Sequence, residues 1–284
     1  MKQVKTGKGV TAEFNEDTGA VEFYSDNGTL YRDWIGRMGI DKDLIKSIRV
    51  AKGTVFLPKD AGGCFMDLKN LHTLDLKNFD TSKVTNMREI FCRCENLTTL
   101  DLSVMNTAKV ENMFGMFESC FRMQHLDLSS LDTSNVTDMC CMFAGCCELK
   151  SVNLSGLNTS KVINMSAMLY YCSSLVDLSL SGLDTSRVID MARMFVCCGK
   201  LEKLDLSGFD TSKVTNMSGM FYGCMKLSEI DMSGCNLSEM EDMTEMFWFC
   251  ISLNTVKMPT VVPKYTKTDK IFGECRQSLR VIEQ

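Results

Sequence analysis

A single 26-residue unit is copied along most of the chain, and no other feature limits the fold as tightly. Its leucine position recurs at Leu71, Leu97, Met123, Leu149, Leu175, Leu201, Leu227 and Leu253, with no insertion between copies. A cysteine closes each unit, at Cys94, Cys120, Cys146, Cys172, Cys198, Cys224 and Cys250. Two methionine columns keep the same phase. One is Met87, Met113, Met139, Met165, Met191, Met217 and Met243; the other runs from Met116 to Met246, with Ile90 in the first copy. Self-similarity at a fixed period of this length means stacked supersecondary units, because one unit cannot bury its own apolar face.

Each unit changes period halfway. Leu74 and Leu76 alternate with Thr73, Asp75 and Lys77 as in a strand. Val84, Met87, Ile90/Phe91 and Cys94 then recur at helical spacing, which predicts a short helix with one apolar face. The Asp80-Thr81-Ser82 stretch, repeated as DTS, NTS or NTA, and the Asn or Asp at Asn86 are candidate turn and helix-cap residues. Parallel strands stack about 4.8 Å apart, and helices no closer than roughly 8–10 Å. The expectation is therefore an α/β solenoid curved with its strands on the concave side and its short helices on the convex side. Nine strand steps make an inner arc of about 43 Å.

The motif LxxLDLSxFDTSxVTNMxxMFxxC, running from Leu71 to about Met258, resembles the BspA-type leucine-rich repeat of bacterial surface proteins. The resemblance implies a leucine-rich-repeat horseshoe. Family members are usually exported or lipid-anchored and are linked to adhesion, so it also implies a binding role.

The ends depart from the unit. Residues 1–44 read as an N-terminal cap: Val10, Ala12 and Phe14 alternate, residues 15–19 turn, and Val21 and Phe23 alternate again, predicting a β-hairpin. Leu30, Tyr31, Trp34, Ile35 and Met38 suggest a short helix beneath it. Residues 45–258 are the repeats, the first of them degenerate around Ile45–Val50 and Phe65. Residues 259–284 read as a C-terminal capping repeat, with the pattern blurred around Pro259, Pro263 and Cys275.

Composition bears on compartment and chemistry. Lys+Arg number 31 against Asp+Glu 36, a net charge of −5, so nothing argues for a phosphate backbone or an anionic membrane. No apolar run is long enough to span a bilayer. The N-terminus MKQVKTGKGVTAEF has no apolar stretch behind its lysines, so the reading favours a cytoplasmic chain, or a cell-surface one if an export signal was removed. Of the 15 Cys, seven lie on the repeat column, where a buried free thiol behaves as a small hydrophobe. The other eight, at positions 64, 92, 140, 141, 147, 197, 235 and 275, show no zinc spacing and suit a reducing compartment. The methionine columns read as core rather than as soft-metal ligands. No metal and no cofactor is expected.

The candidate binding surface is the exposed side of the strands. One column carries Asp75, Asp101, Asp127, Asp205 and Asp231, with Asn153 and Ser179 in phase. Neighbouring carboxylates repel unless hydrogen-bonded, so the column is either a structural Asp–Ser ladder or an acidic stripe that prefers a basic partner. The column before it varies through His125, Asp177, Lys203 and Glu229, which the fold does not dictate, by drift or for partner specificity. A basic column of Lys83, Lys109, Lys161, Arg187 and Lys213 reads as a solvated rim paired with acids such as Asp80. No nucleophile–His–acid set or phosphate loop is present, so the reading is a monomeric, non-enzymatic protein-binding module. Three classes stay open: a surface or adhesion protein, an intracellular inhibitor or effector such as a phage or mobile-element protein blocking a host or defence enzyme (a nucleoprotein among its targets), and, weakest, a nucleic-acid binder using the lysine column.

Overall fold

The computed structural model describes residues 3–283. The chain opens with a hairpin in which β1 (Val4–Asn15) pairs antiparallel with β2 (Ala20–Leu30). Its turn is held by Asn15 Oδ1, which accepts from the Asp17 and Thr18 amides at 3.0 and 3.1 Å. Gly19 closes the turn at φ 72°, where an added Cβ would lie 2.5 Å from the Leu44 carbonyl. β2 then serves as the first coil of the solenoid. It pairs in parallel with β3 (Ser47–Lys52) through Ala20–Tyr24 and with β4 (Val55–Phe56) through Gly28–Thr29. The short helix α1 (Trp34–Met38) plugs the end of the core. Its Trp34 is fully buried, donates to the Cys64 carbonyl at 2.8 Å and meets the Phe23 ring edge-on at 5.0 Å.

Each later turn of chain stacks on the one before, one 26-residue repeat per coil. On the first wall β3 pairs with β5 (Thr73–Leu74), and β4 pairs with β6 (Phe79–Asp80) on the next. Further along, β7 (His125–Asp127) pairs with β8 (Ser151–Asn153). At the far end β9 (Glu229–Asp231), β10 (Thr255–Met258) and β11 (Arg280–Glu283) form a parallel set. Parallel strands and the predicted inward residues are present: Leu71, Leu97, Leu149 and Leu201 are buried, as are both methionine columns.

The convex-side helices are not. Among the described residues the only α-helix is α1 in the cap. Met87–Cys94 and its copies are chains of β-turns, in which the amides of Ile90, Cys92 and Cys94 bond three residues back at 3.1–3.2 Å. The alternate amides of Met87, Glu89, Phe91 and Arg93 bond to carbonyls of the next coil at 2.7–3.1 Å. Glu89 and Arg93 are left-handed, at φ 55° and 59°, and every later copy repeats both features. A helix of about two turns gains little on its own, whereas this arrangement gives each amide a partner. The left-handed residues cost roughly 1–2 kcal/mol each, which the inter-coil bonds offset. Burial at three- and four-residue spacing is shared by both geometries, which is why the apolar columns came out buried although the helix did not form. Asn86 accordingly caps no helix. It begins the turn wall, accepts from the Arg88 amide at 3.0 Å and bridges Asp60 and Asn112 on either side.

Side-chain ladders knit the coils together. Phenylalanines stack from Phe65 to Phe143 and again from Phe195 to Phe272, with ring centroids 5.3–5.9 Å apart. Thr81, Thr107, Thr133, Thr159, Thr185 and Thr211 are all buried, and each hydroxyl donates to a carbonyl of the next coil at 2.8–2.9 Å. The Thr of the DTS motif is thus a core residue rather than a helix cap. Each column cysteine donates its thiol to a carbonyl of the preceding coil, from Cys94 to Phe65 at 3.1 Å through Cys250 to Phe221 at 3.1 Å. Cys275 joins this ladder, bonding to the Phe247 carbonyl at 3.1 Å, so its off-column reading is corrected. The last coil is one residue short, since Lys267 follows Asp242 by 25 positions and Phe272 stacks on Phe247.

Candidate functional site

The strand wall presents the candidate residues because alternation turns Leu74, Leu76 and their copies inward and the residues between them outward. With both walls spaced by backbone hydrogen bonds, helix width no longer accounts for curvature. The strand wall carries a groove of about 1140 Å³ spanning five coils, from Thr99 to Lys203. The groove brings together Asp101, His125, Asp127, Asp177 and Lys203 over a floor that includes Leu100, Leu126, Val152 and Leu178. A second hollow of about 430 Å³ continues from Lys203 and gathers Asp205, Glu229 and Asp231 with Lys257. Asp75 lines neither hollow.

The aspartates do not simply repel one another. Each turns the chain by accepting the amide two residues on: Asp75 from Lys77 at 2.9 Å, Asp101 from Ser103 at 3.0 Å, Asp127 from Ser129 at 2.9 Å, Asp205 from Ser207 at 2.8 Å and Asp231 from Ser233 at 3.0 Å. The Ser103 and Ser233 hydroxyls add a second bond at 2.6 Å. These donors favour the ionised carboxylate. Asp101 is held below the usual range mainly by the Ser103 hydroxyl, and Asp127 and Asp205 mainly by the backbone amides of Ser129 and Ser207. Asp231 is held down to about 2, first by the Lys257 ammonium at 2.7 Å and then by Ser233. One oxygen of each aspartate is therefore structural, and Asp101, Asp127, Asp205 and Asp231 stay charged at neutral pH.

The variable column behaves differently. His125 Nδ1 lies 2.9 Å from the Ser151 hydroxyl across the β7–β8 pair. Lys203 makes no ion pair among the described residues, although Glu202 and Asp177 line the same groove. The groove lining holds four carboxylates, Asp101, Asp127, Asp177 and Glu202, against the single Lys203. The basic column fits its expected role less well. Among the described residues none of Lys83, Lys109, Lys161, Arg187 and Lys213 forms an ion pair. Lys83 instead sits over the Phe56 ring at 4.5 Å, and Lys161 donates to Asn135 Oδ1 at 2.7 Å.

The cysteines also find their place. All 15 are free, and the column members are buried. Desolvation pushes Cys94, Cys146 and Cys250 up to about 12, and Cys120, Cys172 and Cys224 well above the ordinary thiol value. They are poor nucleophiles and poor ligands. Among the described residues no group of three or more His, Cys, Asp or Glu converges as metal ligands would, and no helix is long and apolar enough to cross a membrane.

Sequence reasoning missed a second cluster, on the turn wall. Tyr170, Tyr171, Val196 and Tyr222 line a groove of about 520 Å³ with Arg193, Ser218, Asp242, Thr244 and Glu245. Trp248 and Phe249 extend it, 6.5 and 6.0 Å from the Tyr222 ring. The signal was available: one column reads Cys92, Glu118, Ala144, Tyr170, Val196, Tyr222 and Trp248, turning aromatic only in its later copies.

Among solved structures, the chain is similar to a leucine-rich repeat protein of Eubacterium ventriosum, at 11% identity and a TM-score of 0.44, covering 100% of this chain and 84% of that one. A leucine-rich repeat protein of Bacteroides ovatus matches at 15% identity and a TM-score of 0.39, over 97% of this chain and 89% of that one. One from Leptospira interrogans matches at 15% identity and a TM-score of 0.31, over 90% and 63%. The chain matches none of the curated proteins in sequence. Its repeat is of the BspA type, a leucine-rich solenoid unit. Its family model covers three overlapping stretches, residues 59–176, 147–258 and 174–280, and the chain belongs to the family described as Mycoplasma protein of unknown function, DUF285.

Proposed function

We propose that this chain is a non-enzymatic protein-binding module that receives a basic surface of its partner in the strand-wall groove. The observation that supports this reading is the groove itself, where Asp101, Asp127 and Asp177, together with Glu202 (paired with Lys226 at 3.6 Å), outnumber the single Lys203 over an apolar floor. The aspartates of the groove, Asp101 and Asp127, anchor their turns with one oxygen and leave the other without a partner among the described residues, whereas the second oxygen of Asp231 is held by Lys257. His125, Asp177 and Lys203 sit at positions the repeat leaves free, which is where specificity can be written without disturbing the core. Acidic lining steers a basic partner and raises the association rate more than it raises affinity. Fifteen free thiols, eight of them bonded to carbonyls of neighbouring coils, favour a reducing compartment and hence an intracellular inhibitor or effector over an exported adhesin.

The test is an affinity pull-down from the source cell with the wild-type chain and a variant carrying Asp101→Asn, His125→Ala, Asp127→Asn and Lys203→Ala. Asparagine keeps the turn-forming oxygen, so the variant retains its fold while the groove loses charge. A partner held by the wild type and lost by the variant supports the assignment. An unchanged set of partners refutes it.

A further inference from the structure

We propose that the turn wall carries a second site, formed around Tyr170, Tyr171 and Tyr222, that binds a neutral oligosaccharide. It lies on a different wall from the strand groove. Its volume of about 520 Å³ falls within the roughly 300–1,000 Å³ of small-ligand sites.

Backbone conformation is the first argument. Tyr171 and Phe249 occupy a column that is left-handed in every coil, at φ 58° and 60°, where other copies carry Gly145 and Gly223 or the smaller or more flexible side chains of Arg93, Ser119 and Cys197. A bulky side chain is disfavoured there, and glycine satisfies the same turn. Both rings are also exposed, 44% for Tyr171 and 43% for Phe249, so the core does not require them. The fold would be served better by glycine at either position.

Side-chain arrangement is the second. Tyr170 and Tyr222 stand two coils apart in one column, about 10 Å along the axis at strand-like spacing. The shorter Val196 between them leaves a notch. Tyr171 lies against Tyr170 at 4.7 Å, and Trp248 continues the row beyond Tyr222. Tyrosine and tryptophan offer an apolar face with a polar tip, which suits the C–H face of a pyranose ring and its hydroxyls.

Charge decides the ligand class. The groove holds one guanidinium, Arg193, and two carboxylates, Asp242 and Glu245, with the Ser218 and Thr244 hydroxyls beside them. Single-stranded nucleic acid needs a basic groove as well as stacking rings, and here Asp242 and Glu245 offset the charges of Arg193 and of Lys267, which pairs with Asp242 at 3.8 Å. Asp242 is already engaged by the Lys267 ammonium and by the Thr244 amide at 2.8 Å, but a purely apolar segment would leave Arg193 and Glu245 without partners. A neutral polyol supplies donors to the carboxylates and acceptors to the guanidinium, and it needs no net charge in the site.

The experiment titrates maltotriose, cellotriose and tri-N-acetylchitotriose into the full-length chain and follows saturation-transfer NMR. A proline-rich peptide is titrated in parallel, since it too favours aromatic-lined grooves. The expected result is binding of at least one trisaccharide, weakened about tenfold by Tyr170→Ala or Tyr222→Ala, the scale of one lost aromatic contact. Tyr171→Gly is expected to weaken binding while leaving the melting temperature at or above that of the wild type. No binding by any of the three sugars overturns the proposal, as does binding that both alanine variants leave unchanged. Binding of the peptide in place of the sugars would reassign the site to a protein ligand, and a lower melting temperature for Tyr171→Gly would remove the backbone argument.

Discussion

Replacing Thr133 by valine tests whether the buried threonine ladder holds neighbouring coils together. Thr133 Oγ1 donates to the Asn158 carbonyl at 2.9 Å and accepts from the Asn158 amide at 2.8 Å. Valine has nearly the same shape and is more apolar, so packing alone predicts a neutral or stabilising change. The hydrogen-bond argument predicts the opposite. Thr133→Val leaves the Asn158 amide and carbonyl facing a methyl group, and an unsatisfied buried group costs about 1–3 kcal/mol. Asn158 itself is exposed, so water relieves part of that cost at both groups, and the loss is about 2 kcal/mol. Thr133→Ser is the control. It keeps both hydrogen bonds and removes one methyl, for about 1 kcal/mol. The expected order of stability is wild type, then serine, then valine. In a chain of 284 residues a loss of this size lowers the melting temperature by roughly 4–8 °C. Urea unfolding followed by circular dichroism measures both variants. Because coils interact mainly with their neighbours, the valine variant is also expected to broaden the transition. A valine variant as stable as the serine variant, or more so, would refute the ladder as a stabilising element.

Three further outcomes follow from the titratable groups. Burial raises the column thiols, Cys94, Cys146 and Cys250 to about 12, so the folded state holds protons that the unfolded chain releases above about pH 8.5. Their stabilising contribution is whole below that value and is lost as pH rises toward 12, so thermal stability measured from pH 8 to 11 should fall steadily, and a flat profile would contradict the burial. Alkylation of the native chain near neutral pH should reach the half-exposed Cys141, Cys147 and Cys197 before the buried column thiols, which react only after denaturation; mass spectrometry of the labelled peptides reads the order. Asp231, held down to about 2, stabilises the fold above the unfolded carboxylate value and loses that contribution as pH falls toward 2. Lys257→Gln should move its carboxyl resonance titration upward, and an unmoved titration would show that the 2.7 Å pair does not form in solution.

What could be read from the sequence and what could not have physical reasons. The inward columns were legible because the same leucine, methionine and cysteine positions recur copy after copy, so chance substitutions in one coil do not hide the register. The turn wall was not, because residues at three- and four-residue spacing face one side both in a helix and in a run of turns. The distinguishing mark is the left-handed residue every fourth position, and glycine shows it only at Gly63, Gly115 and Gly219 in one column and Gly145 and Gly223 in the other. Elsewhere Glu, Arg, Cys or Tyr accepts the strain and conceals it. The last coil lost its phase to a single missing residue, which the structure absorbs in the turns while keeping Cys275 on the thiol ladder. The strand-wall residues were placed outward by simple alternation, but their gathering into two hollows depends on how the coils stack, and a single unit carries no trace of that.

The division between positions that the fold dictates and positions it leaves free also explains why function is so weakly written in this chain. Every coil spends its Leu, Asx, Thr, Met, Phe and Cys columns on hydrogen bonds and packing with its two neighbours, and a change in any of them disturbs both contacts. The exposed strand column, the basic column and the aromatic column of the turn wall escape that double constraint. His125 and Lys203 differ from the residues one coil away at no structural cost, and so do Tyr170 and Tyr222. Tyr171 and Phe249 go further, standing where the backbone prefers glycine. An exposed aromatic ring at such a position, where no core packing requires it, is stronger evidence of an external contact than the left-handed backbone itself, which Arg93, Ser119 and Cys197 share. On that ground the turn-wall aromatics make the more decisive target for mutation, although the strand groove is the larger cavity.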